Sequence, residues 1–354
     1  MKLLIAGGGT GGHLFSGLAI AEEWGARGFE VIFVGTPKGL EKELIPKFGY
    51  RLRMIKALSL KGLGVIQKLK TLVQLPGSFW ESRKILKEEK PDWVLGIGGY
   101  ASGPTVLMAK LMGLPSAIID QNTIPGMTNR FLGRWTKKVF LTFQESEKYF
   151  AKKKAKVFGN PVLKKMRGVS IPLTKKIGSL MVCGGSQGSR RINEIFLAAL
   201  PGLKKEIPEL FVYWQTGGRD FAEIQQNLAD KTNIVIAPFF DDMEKKYAEV
   251  ELVVARSGAG TLTELALWGV PSILIPYPFA ADGHQQENAK VFEKKGAAEV
   301  MIEGELDSAL LVEHILSLLK DKKRLGEMSS QALQLARPDA AQKIVDELLN
   351  SKNV

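Results

Sequence analysis

The chain has 354 residues, of which 45% are hydrophobic and 24% charged, a composition typical of a folded protein with two domains. Its single cysteine, Cys183, excludes an internal disulfide, and we find no run of about 18 apolar residues that could cross a membrane. The formal net charge of +12 indicates an anionic partner. Since zinc-ligand spacing, RNA-binding aromatic signatures and a helix-turn-helix are missing from the sequence, we expect no nucleic acid and consider anionic membranes and small molecules.

The first predicted element is an apolar strand, KLLIA, followed by the glycine loop GGGTGGH at residues 7–13. Three of these glycines have the G-x-G-x-x-G spacing of a dinucleotide-binding loop. That function also requires an acidic residue about 20 positions further on, but the second strand, EVIFVG, is followed by Thr36. The sequence therefore disfavours NAD and FAD. A helix N-terminus remains, and His13 in its first turn is a candidate general base.

A basic stretch with many apolar residues runs from Leu58 to Lys90 and predicts an amphipathic helix. Periodicity alone favours an inward apolar face with solvated lysines. The alternative is that this helix lies on an anionic bilayer. In that alternative the membrane-facing residues are Lys61, Lys68, Leu69, Lys70, Leu75, Phe79 and Trp80.

A unit of strand, glycine turn and helix recurs along the chain. After the first loop it returns at Asp92–Pro104, Ser179–Ser189 and Glu251–Thr261. Further strands are predicted at EVIFVG, SAIID, LFVYWQ, NIVIAPF and SILIPY. Apolar strands alternating with helices indicate an α/β protein with two Rossmann-like parallel-sheet domains. Because such sheets bind ligands at the carboxyl ends of their strands, we expect the two domains to face a central cleft.

The segment at residues 159–179 is rich in Pro, Gly and Lys and is interpreted as the crossing between the two domains. We expect one domain at residues 1–162 and a second at residues 163–338. A final helix is expected at residues 339–354, with packing back on the first domain as one option.

The second domain carries motifs that are typical of a nucleotide site. SGAGTLTEL places backbone amides at a helix start and adds Glu264, which either holds ribose hydroxyls or only favours the positive helix end. The neutral amides of GHQQENA suit sugar hydroxyls. CGGSQGSRRIN offers amides suited to phosphate at Gly185, Ser186, Gln187 and Gly188.

Taken in order, the motifs GGGTGGH, GGYASGP, DQNTIPGMTNR, GNPV, GGSQGS, ARSGAGTLTE and HQQENA resemble the MurG family of glycosyltransferase family 28. These are the bacterial UDP-N-acetylglucosamine:N-acetylmuramyl-(pentapeptide) pyrophosphoryl-undecaprenol N-acetylglucosamine transferases of peptidoglycan synthesis. The resemblance implies a GT-B fold and a peripheral position on the cytoplasmic face of the inner membrane. It also implies inverting transfer of N-acetylglucosamine from UDP-N-acetylglucosamine to lipid I, the undecaprenyl-linked muramyl peptide, giving lipid II and UDP.

Two kinds of alternative remain open. One is another GT-B enzyme that uses a UDP-sugar, either a glycolipid synthase or a UDP-N-acetylglucosamine 2-epimerase. The other is a nucleotide-sugar-binding module without catalysis. Given the resemblance, the membrane interpretation of the basic stretch becomes the preferred one, because lipid I is an anionic diphosphate within an anionic leaflet.

Carried over by position, the resemblance implies that His13 is the base, with Asp120 as a second candidate. Phe240 would read uracil through its main chain, Glu264 would hold the ribose, and Gln286 would hold N-acetylglucosamine. The donor-binding set is Thr10, Gly11, Gly12, Asn122, Ser186, Gln187, Gly188, Phe240, Ala259, Gly260, Thr261, Leu262, Thr263, Glu264, Gln285 and Gln286.

The sequence departs from the family at two positions. The acid before QN is usually Glu in the family and is Asp120 here. An arginine that the family commonly has soon after GNP is replaced by Leu163, so either Lys164 is its substitute or that contact is absent. No Asp-x-Asp pair occurs in the chain. We therefore expect no cofactor and no metal ion held by paired aspartates.

Overall fold

A computed structural model describes residues 1–9, 11–37, 39–57, 65–167 and 175–351, with the main chain alone described at 65–75. The chain divides into two compact units. Unit 1 comprises Met1–Lys164 together with Arg337–Val354, and unit 2 comprises Lys165–Ala336.

Short strands alternate with helices along most of the chain, as the repeated strand, turn and helix pattern predicts. The strands are β1 Lys2–Ala6, β2 Glu30–Gly35, β3 Arg51–Met54, β4 Trp93–Gly96, β5 Ser116–Asp120, β6 Lys138–Leu141, β7 Ala155–Val157, β8 Ser179–Cys183, β9 Phe211–Gln215, β10 Ile234–Ala237, β11 Leu252–Ala255, β12 Ser272–Leu274 and β13 Ala298–Val300. The helices are α1 Gly11–Gly25, α2 Glu41–Lys47, α3 Val65–Glu89, α4 Ser102–Leu111, α5 Met127–Leu132, α6 Arg190–Glu206, α7 Phe221–Asn227, α8 Met243–Glu249, α9 Ala259–Leu267, α10 His284–Lys294, α11 Ser308–Lys320, α12 Lys322–Leu335 and α13 Ala340–Asn350.

Unit 1 is built on a parallel sheet with strand order β3-β2-β1-β4-β5-β6-β7. The central strand β1 places Ile5 opposite Phe33 of β2 and Leu95 of β4. Its apolar residues are fully buried because a strand inside a parallel sheet is covered on both faces. The strand order reverses between β1 and β4, and parallel sheets bind ligands beyond the strand ends at such a point.

Unit 2 repeats this arrangement with strand order β10-β9-β8-β11-β12-β13. The reversal falls between β8 and β11, the strands that precede the GGSQGS and RSGAGT turns. Trp214 in its core is fully buried and lies edge-on against Phe196, with ring centroids 4.8 Å apart. The predicted α/β fold with two parallel-sheet domains is confirmed.

Helix α3 occupies most of the basic stretch that was predicted to be helical and contains Pro76. Lys61 lies outside the described residues, and so do the side chains of Lys68, Leu69, Lys70 and Leu75. No helix in the described part of the chain is both long enough and apolar enough to span a bilayer.

The last helix, α13, belongs to unit 1 and packs against α1. Its buried face consists of Ile344, Val345 and Leu348. An ion pair at the edge of this contact joins Arg27 Nη1 to Asp346 Oδ1 at 2.6 Å. The apolar face therefore holds the carboxyl-terminal segment on unit 1.

Replacing Ile344 with Ala should destabilise unit 1, because a large-to-small change at a fully buried position leaves a cavity. We expect a loss of about 2 to 5 kcal/mol in the free energy of unfolding. Urea unfolding followed by circular dichroism measures it. Gln342→Ala, at an exposed position of the same helix, is the matched control and should change the midpoint little. Equal midpoints for the two variants would contradict the packing of α13.

Candidate active site

In unit 1 the loops that follow β1 and β4 touch through their main chains. Gly8 N donates to Gly98 O at 3.2 Å. A Cβ atom on Gly7 would lie 2.2 Å from Gly98 O, and one on Gly99 would lie 2.2 Å from Gly8 O. Any side chain at these positions would push the two loops apart, so the glycines allow close approach at the point where the strand order reverses.

His13 lies in the first turn of α1 and is half-buried. Its ring packs against Gly98, where an added Cβ atom would lie 2.8 Å from both Cδ2 and Nε2. The two glycine loops therefore fix the position of the imidazole at the carboxyl ends of β1 and β4. This location is the one that a general base on an α/β sheet requires.

A hydroxyl beneath the first turn of α1 connects it to the GNP motif. Ser16 Oγ lies 3.0 Å from Gly12 O and 2.7 Å from Asn160 Oδ1, and all of Ser16 and Asn160 is buried. The single hydroxyl proton is donated to one of these two oxygens. Asn160 thus adjoins the helical turn that carries His13.

Asp120 at the end of β5 is 3% exposed and is turned towards its own loop. Its Oδ1 accepts a hydrogen bond from Asn122 N at 3.0 Å, and its Oδ2 accepts from Asn129 Nδ2 at 2.8 Å and from Gly126 N at 3.2 Å. Burial raises the pKa of this carboxyl to about 6, and these hydrogen bonds oppose the rise. With both oxygens engaged, we assign Asp120 to holding the loop rather than to accepting a substrate proton.

The other predicted residues of unit 1 differ in accessibility. Thr10 lies outside the described residues. Gly11 is buried, Gly12 is exposed, and Asn122 is half-buried on the loop that Asp120 holds. Leu163 is buried, whereas the neighbouring Lys164 is exposed and its main-chain N–H donates to Glu22 Oε2 at 2.8 Å.

In unit 2 the loop after β8 leads into the capped start of α6. Ser189 is the N-cap residue and its hydroxyl accepts from Ile192 N. Ser186 and Gln187 are exposed in the loop. Gly188 was expected to offer its amide to phosphate, but that N–H donates to Gly185 O at 3.1 Å and closes the turn. The loop therefore offers fewer open amides than the sequence suggests.

The second glycine turn of unit 2 leads into α9, which has no side-chain cap. As in the first turn of any helix, the amides of Ala259, Gly260 and Thr261 have no intrahelical acceptor. Because no side chain caps this turn, these amides suit an anion. Two residues of the predicted donor-binding set have side chains that are engaged within the protein. Leu262 is fully buried in the core, and the Thr263 hydroxyl donates to Ala259 O at 2.7 Å. Both side chains are therefore engaged within unit 2.

Glu264 lies one turn further along α9, where Tyr247 Oη donates to its Oε2 at 3.0 Å. Tyr247 is fully buried, and burial of the carboxyl raises the pKa of Glu264 to about 7, opposed by this hydrogen bond. Burial likewise raises the pKa of the Tyr247 hydroxyl. The other carboxyl oxygen, Oε1 of Glu264, is suited to accept hydrogen bonds from hydroxyl groups.

A buried amide connects the loop after β8 with the loop after β10. Gln215 is 3% exposed, its Nε2 donates to Gly185 O at 3.2 Å, and its Oε1 accepts from Phe240 N at 2.9 Å. The N–H of Phe240 is therefore engaged within the protein. The Phe240 carbonyl is then the candidate main-chain group for a hydrogen bond from a nucleotide base.

The two glutamines of the HQQENA motif are used differently. Gln285 Oε1 accepts from Tyr277 N at 3.0 Å, and Gln285 O accepts from Ser257 Oγ at 2.8 Å, so this residue braces the start of α10. Gln286 is exposed. Of the two, Gln286 is the better placed for a sugar.

Arg256 is a functional candidate that the sequence reasoning missed. It is 6% exposed at the end of β11, and its guanidinium donates to Ser189 Oγ at 2.7 Å and to Ile275 O at 3.1 Å. It also pairs with Glu303. The guanidinium thus ties the N-cap of α6 to the ends of β11 and β12. A lone arginine inside the apolar run ELVVARSG was the only sequence signal.

The helices on one side of unit 1 expose large apolar side chains. Trp80 on α3 is 65% exposed, and Phe79 beside it is half-buried. Helix α4, which packs against both α3 and α5, ends at Leu111, 71% exposed. Basic residues accompany Trp80 around one shallow groove, whose lining is Trp80, Arg83, Lys84, Lys87 and Glu88.

No group of three His, Cys, Asp or Glu side chains within the described residues is arranged to hold a metal ion. The polar groups described above are instead main-chain amides, carboxylates, neutral side-chain amides, hydroxyls, the guanidinium of Arg256 and the imidazole of His13. Such a set can bind a phosphorylated, hydroxyl-rich ligand in unit 2 and accept a proton in unit 1.

Known proteins match both units. The glycosyltransferase family 28 N-terminal domain matches residues 3–141, and the glycosyltransferase family 28 C-terminal domain matches residues 179–344. The chain is 45% identical over 360 residues to the UDP-N-acetylglucosamine--N-acetylmuramyl-(pentapeptide) pyrophosphoryl-undecaprenol N-acetylglucosamine transferase of Geobacter sulfurreducens, covering 99% of both chains. It is 44% identical over 351 residues to the transferase of the same name from Myxococcus xanthus, covering 98% of this chain and 92% of that one.

A solved structure gives the same result. The crystal structure of MurG from Acinetobacter baumannii is 31% identical in sequence and superposes with a TM-score of 0.78, covering 99% of both chains. The identity, the coverage and the two domain matches agree along the whole chain. This chain is a glycosyltransferase that belongs to glycosyltransferase family 28 and, within it, to the MurG family.

Proposed function

We propose that this chain transfers N-acetylglucosamine from UDP-N-acetylglucosamine to the 4-hydroxyl of the N-acetylmuramic acid of lipid I. The products are lipid II and UDP, and the transfer inverts the anomeric centre. The observation that supports this proposal is sequence identity. Over nearly its full length, the chain is 44 and 45% identical to two transferases that are named for this reaction. This identity does not favour a glycolipid synthase or a 2-epimerase.

Unit 2 holds the donor in this proposal. The diphosphate is received by the loop amides near Ser186 and Gln187 and by the first turn of α9, where main-chain N–H groups stabilise the charge that develops as UDP leaves. Glu264 accepts hydrogen bonds from the ribose hydroxyls, and the Phe240 carbonyl recognises uracil. Gln286 contacts the N-acetylglucosamine. Since the main-chain N–H groups can stabilise the negative charge of the leaving diphosphate, we expect turnover to persist in the presence of a chelator.

Unit 1 supplies the base. In a single displacement the acceptor hydroxyl attacks the anomeric carbon while its proton passes to a nearby base. His13 is the candidate, because its ring is fixed over Gly98 at the carboxyl ends of the central strands and an imidazole ordinarily titrates near neutral pH.

The exposed apolar and basic surface around Trp80 is proposed as the membrane contact. Aromatic and aliphatic side chains insert at the interface, and surrounding lysines and arginines are attracted to anionic lipid. In this proposal the protein lies peripherally on the cytoplasmic face of the inner membrane, where lipid I presents its sugar.

His13→Ala should abolish most turnover without loss of donor affinity. General base catalysis contributes about 10² to 10⁴-fold, so we expect a fall of that size in kcat. The assay follows UDP release from UDP-N-acetylglucosamine with a lipid-linked muramyl acceptor, with and without a chelator. His314→Ala is the matched control, because His314 lies outside the candidate site and pairs with Glu299. Full activity of His13→Ala would refute its role.

Binding of UDP-N-acetylglucosamine should strengthen with pH near neutrality. The pKa of Glu264 is raised to about 7, and the ionised carboxylate is the better acceptor of two ribose hydroxyls. Affinity should therefore rise by up to about 10-fold from pH 6 to pH 8 and level off above that. Isothermal titration calorimetry measures it, and Glu264→Gln should show no such slope. A slope that survives in Glu264→Gln would assign the titration to another group.

Reversing charges on α3 should weaken membrane association. Lys84 and Lys87 are exposed beside Trp80. At about 1 kcal/mol for each lysine near an anionic surface, the double change to Glu should weaken partitioning by at least about 30-fold. Sedimentation with vesicles containing phosphatidylglycerol measures this. The double change of Lys294 and Lys295 to Glu in unit 2 alters the net charge equally, and it should have a much smaller effect. Equal losses would make the attraction one of net charge alone.

A further inference from the structure

We propose that Glu41 is a positioning residue for His13, acting through the glycine loop that precedes α1. Its buried carboxylate fixes that loop and thereby fixes the imidazole over Gly98. The inference rests on the proposed role of His13 as the base.

The carboxylate of Glu41 joins two loops of unit 1. Glu41 is 1% exposed, and its Oε2 accepts from Gly9 N at 2.9 Å. Its Oε1 accepts from Thr36 N at 2.8 Å and lies 3.0 Å from Thr36 Oγ1, which also donates to it. One side chain thus holds the loop after β1 and the loop after β2 at a fixed separation.

The surrounding main chain is shaped to this carboxylate. Glycines from three segments line it, and a Cβ atom on Gly8, Gly35 or Gly39 would lie 2.4, 2.4 or 2.0 Å from the nearest atom of the Glu41 side chain. A methyl group at any of the three would collide with it. The space between these glycines is therefore filled by the Glu41 side chain.

Gly9, whose amide donates to Glu41, lies close to His13 in the sequence. Gly9 has a φ of +86°, a conformation that glycine adopts without strain, and it precedes α1 by two residues. Its neighbour Gly8 donates to Gly98 O, and Gly98 contacts the His13 ring. The carboxylate and the β4 loop therefore fix the segment from opposite sides, and its conformation determines where α1 presents the imidazole.

This arrangement also distinguishes the first glycine loop from a dinucleotide-binding loop with the same G-x-G-x-x-G spacing. In a dinucleotide site, amides of the glycine loop receive a pyrophosphate and an acid at the end of the second strand binds ribose. Here an internal carboxylate takes the amide of Gly9. The loop is ordered by the protein itself before any ligand arrives, which suits a loop whose task is to hold a base.

Glu41→Gln tests the role with little change of volume. One end of the amide side chain must then present N–H to a donor, either at Gly9 or at Thr36, so the loop shifts. We expect kcat to fall by about 10- to 100-fold, because displacing a catalytic group by about 1 Å has that effect. The KM for UDP-N-acetylglucosamine should change little. Glu43→Gln, at an exposed position of the same helix, is the matched control and should be unaffected.

A double-mutant cycle separates positioning from a general loss of stability. If Glu41 acts through His13, then Glu41→Gln should cost little further activity in the His13→Ala background. An equal fold loss in both backgrounds would overturn the proposal. Full activity of His13→Ala alone would instead refute the base assignment, and no transfer by the unaltered protein would refute the proposed function.

A second readout does not depend on activity. The chain has 3 histidines, so the His13 ring resonances can be assigned by NMR with the single His variants. Glu41→Gln should shift the His13 signals and leave those of His314 in place. A folded Glu41→Gln protein with unchanged His13 resonances would overturn the proposal, and Thr36→Val, which removes one donor to Glu41, should give a smaller shift in the same sense.

Discussion

The close approach of two loops where the strand order reverses is the constraint on which each unit depends. In unit 1 the approach is made by main chain against main chain, since Gly8 donates to Gly98 O and side chains at Gly7 or Gly99 would prevent it. In unit 2 it is made through a side chain, the guanidinium of Arg256 bonded to Ser189. The loops at the reversal point are thus joined by main chain in unit 1 and by a side chain in unit 2.

This difference indicates where we expect an anion to bind. In the first glycine loop the amide of Gly7 donates to Val34 O, that of Gly8 to Gly98 O and that of Gly9 to the Glu41 carboxylate. The loop after β8 keeps Ser186 and Gln187 exposed, and α9 begins without a side-chain cap. Because an amide that is already paired gains little from a phosphate oxygen, we expect the diphosphate of the proposed donor to bind to the second unit. The two glycine-rich motifs look alike in sequence and differ in what remains available.

Periodic and local signals in the sequence predicted the sheets well, but not the polar residues that connect the loops. Continuous apolar runs identify strands such as β1 and β8, whereas β3, which carries Arg51 and Arg53 at a sheet edge, has no such run. The glycine turns and His13 follow from spacing. Glu41, Gln215 and Arg256 do not, because each is a single polar residue whose partners lie on other loops. Only the tertiary fold brings those partners together.

The connecting residues share a physical logic that a buried leucine lacks. Glu41, Asp120, Gln215 and Arg256 are each at most 6% exposed, and each hydrogen bonds to main-chain groups that would otherwise be buried without partners. Apolar replacement therefore removes a bond and also leaves a desolvated amide or carbonyl behind, which costs more than the bond itself contributes. Such a residue tolerates one arrangement of its loops and penalises the others. These residues thus hold the loops at the carboxyl ends of the strands in one geometry, and fixed geometry is what proton transfer and leaving-group stabilisation require.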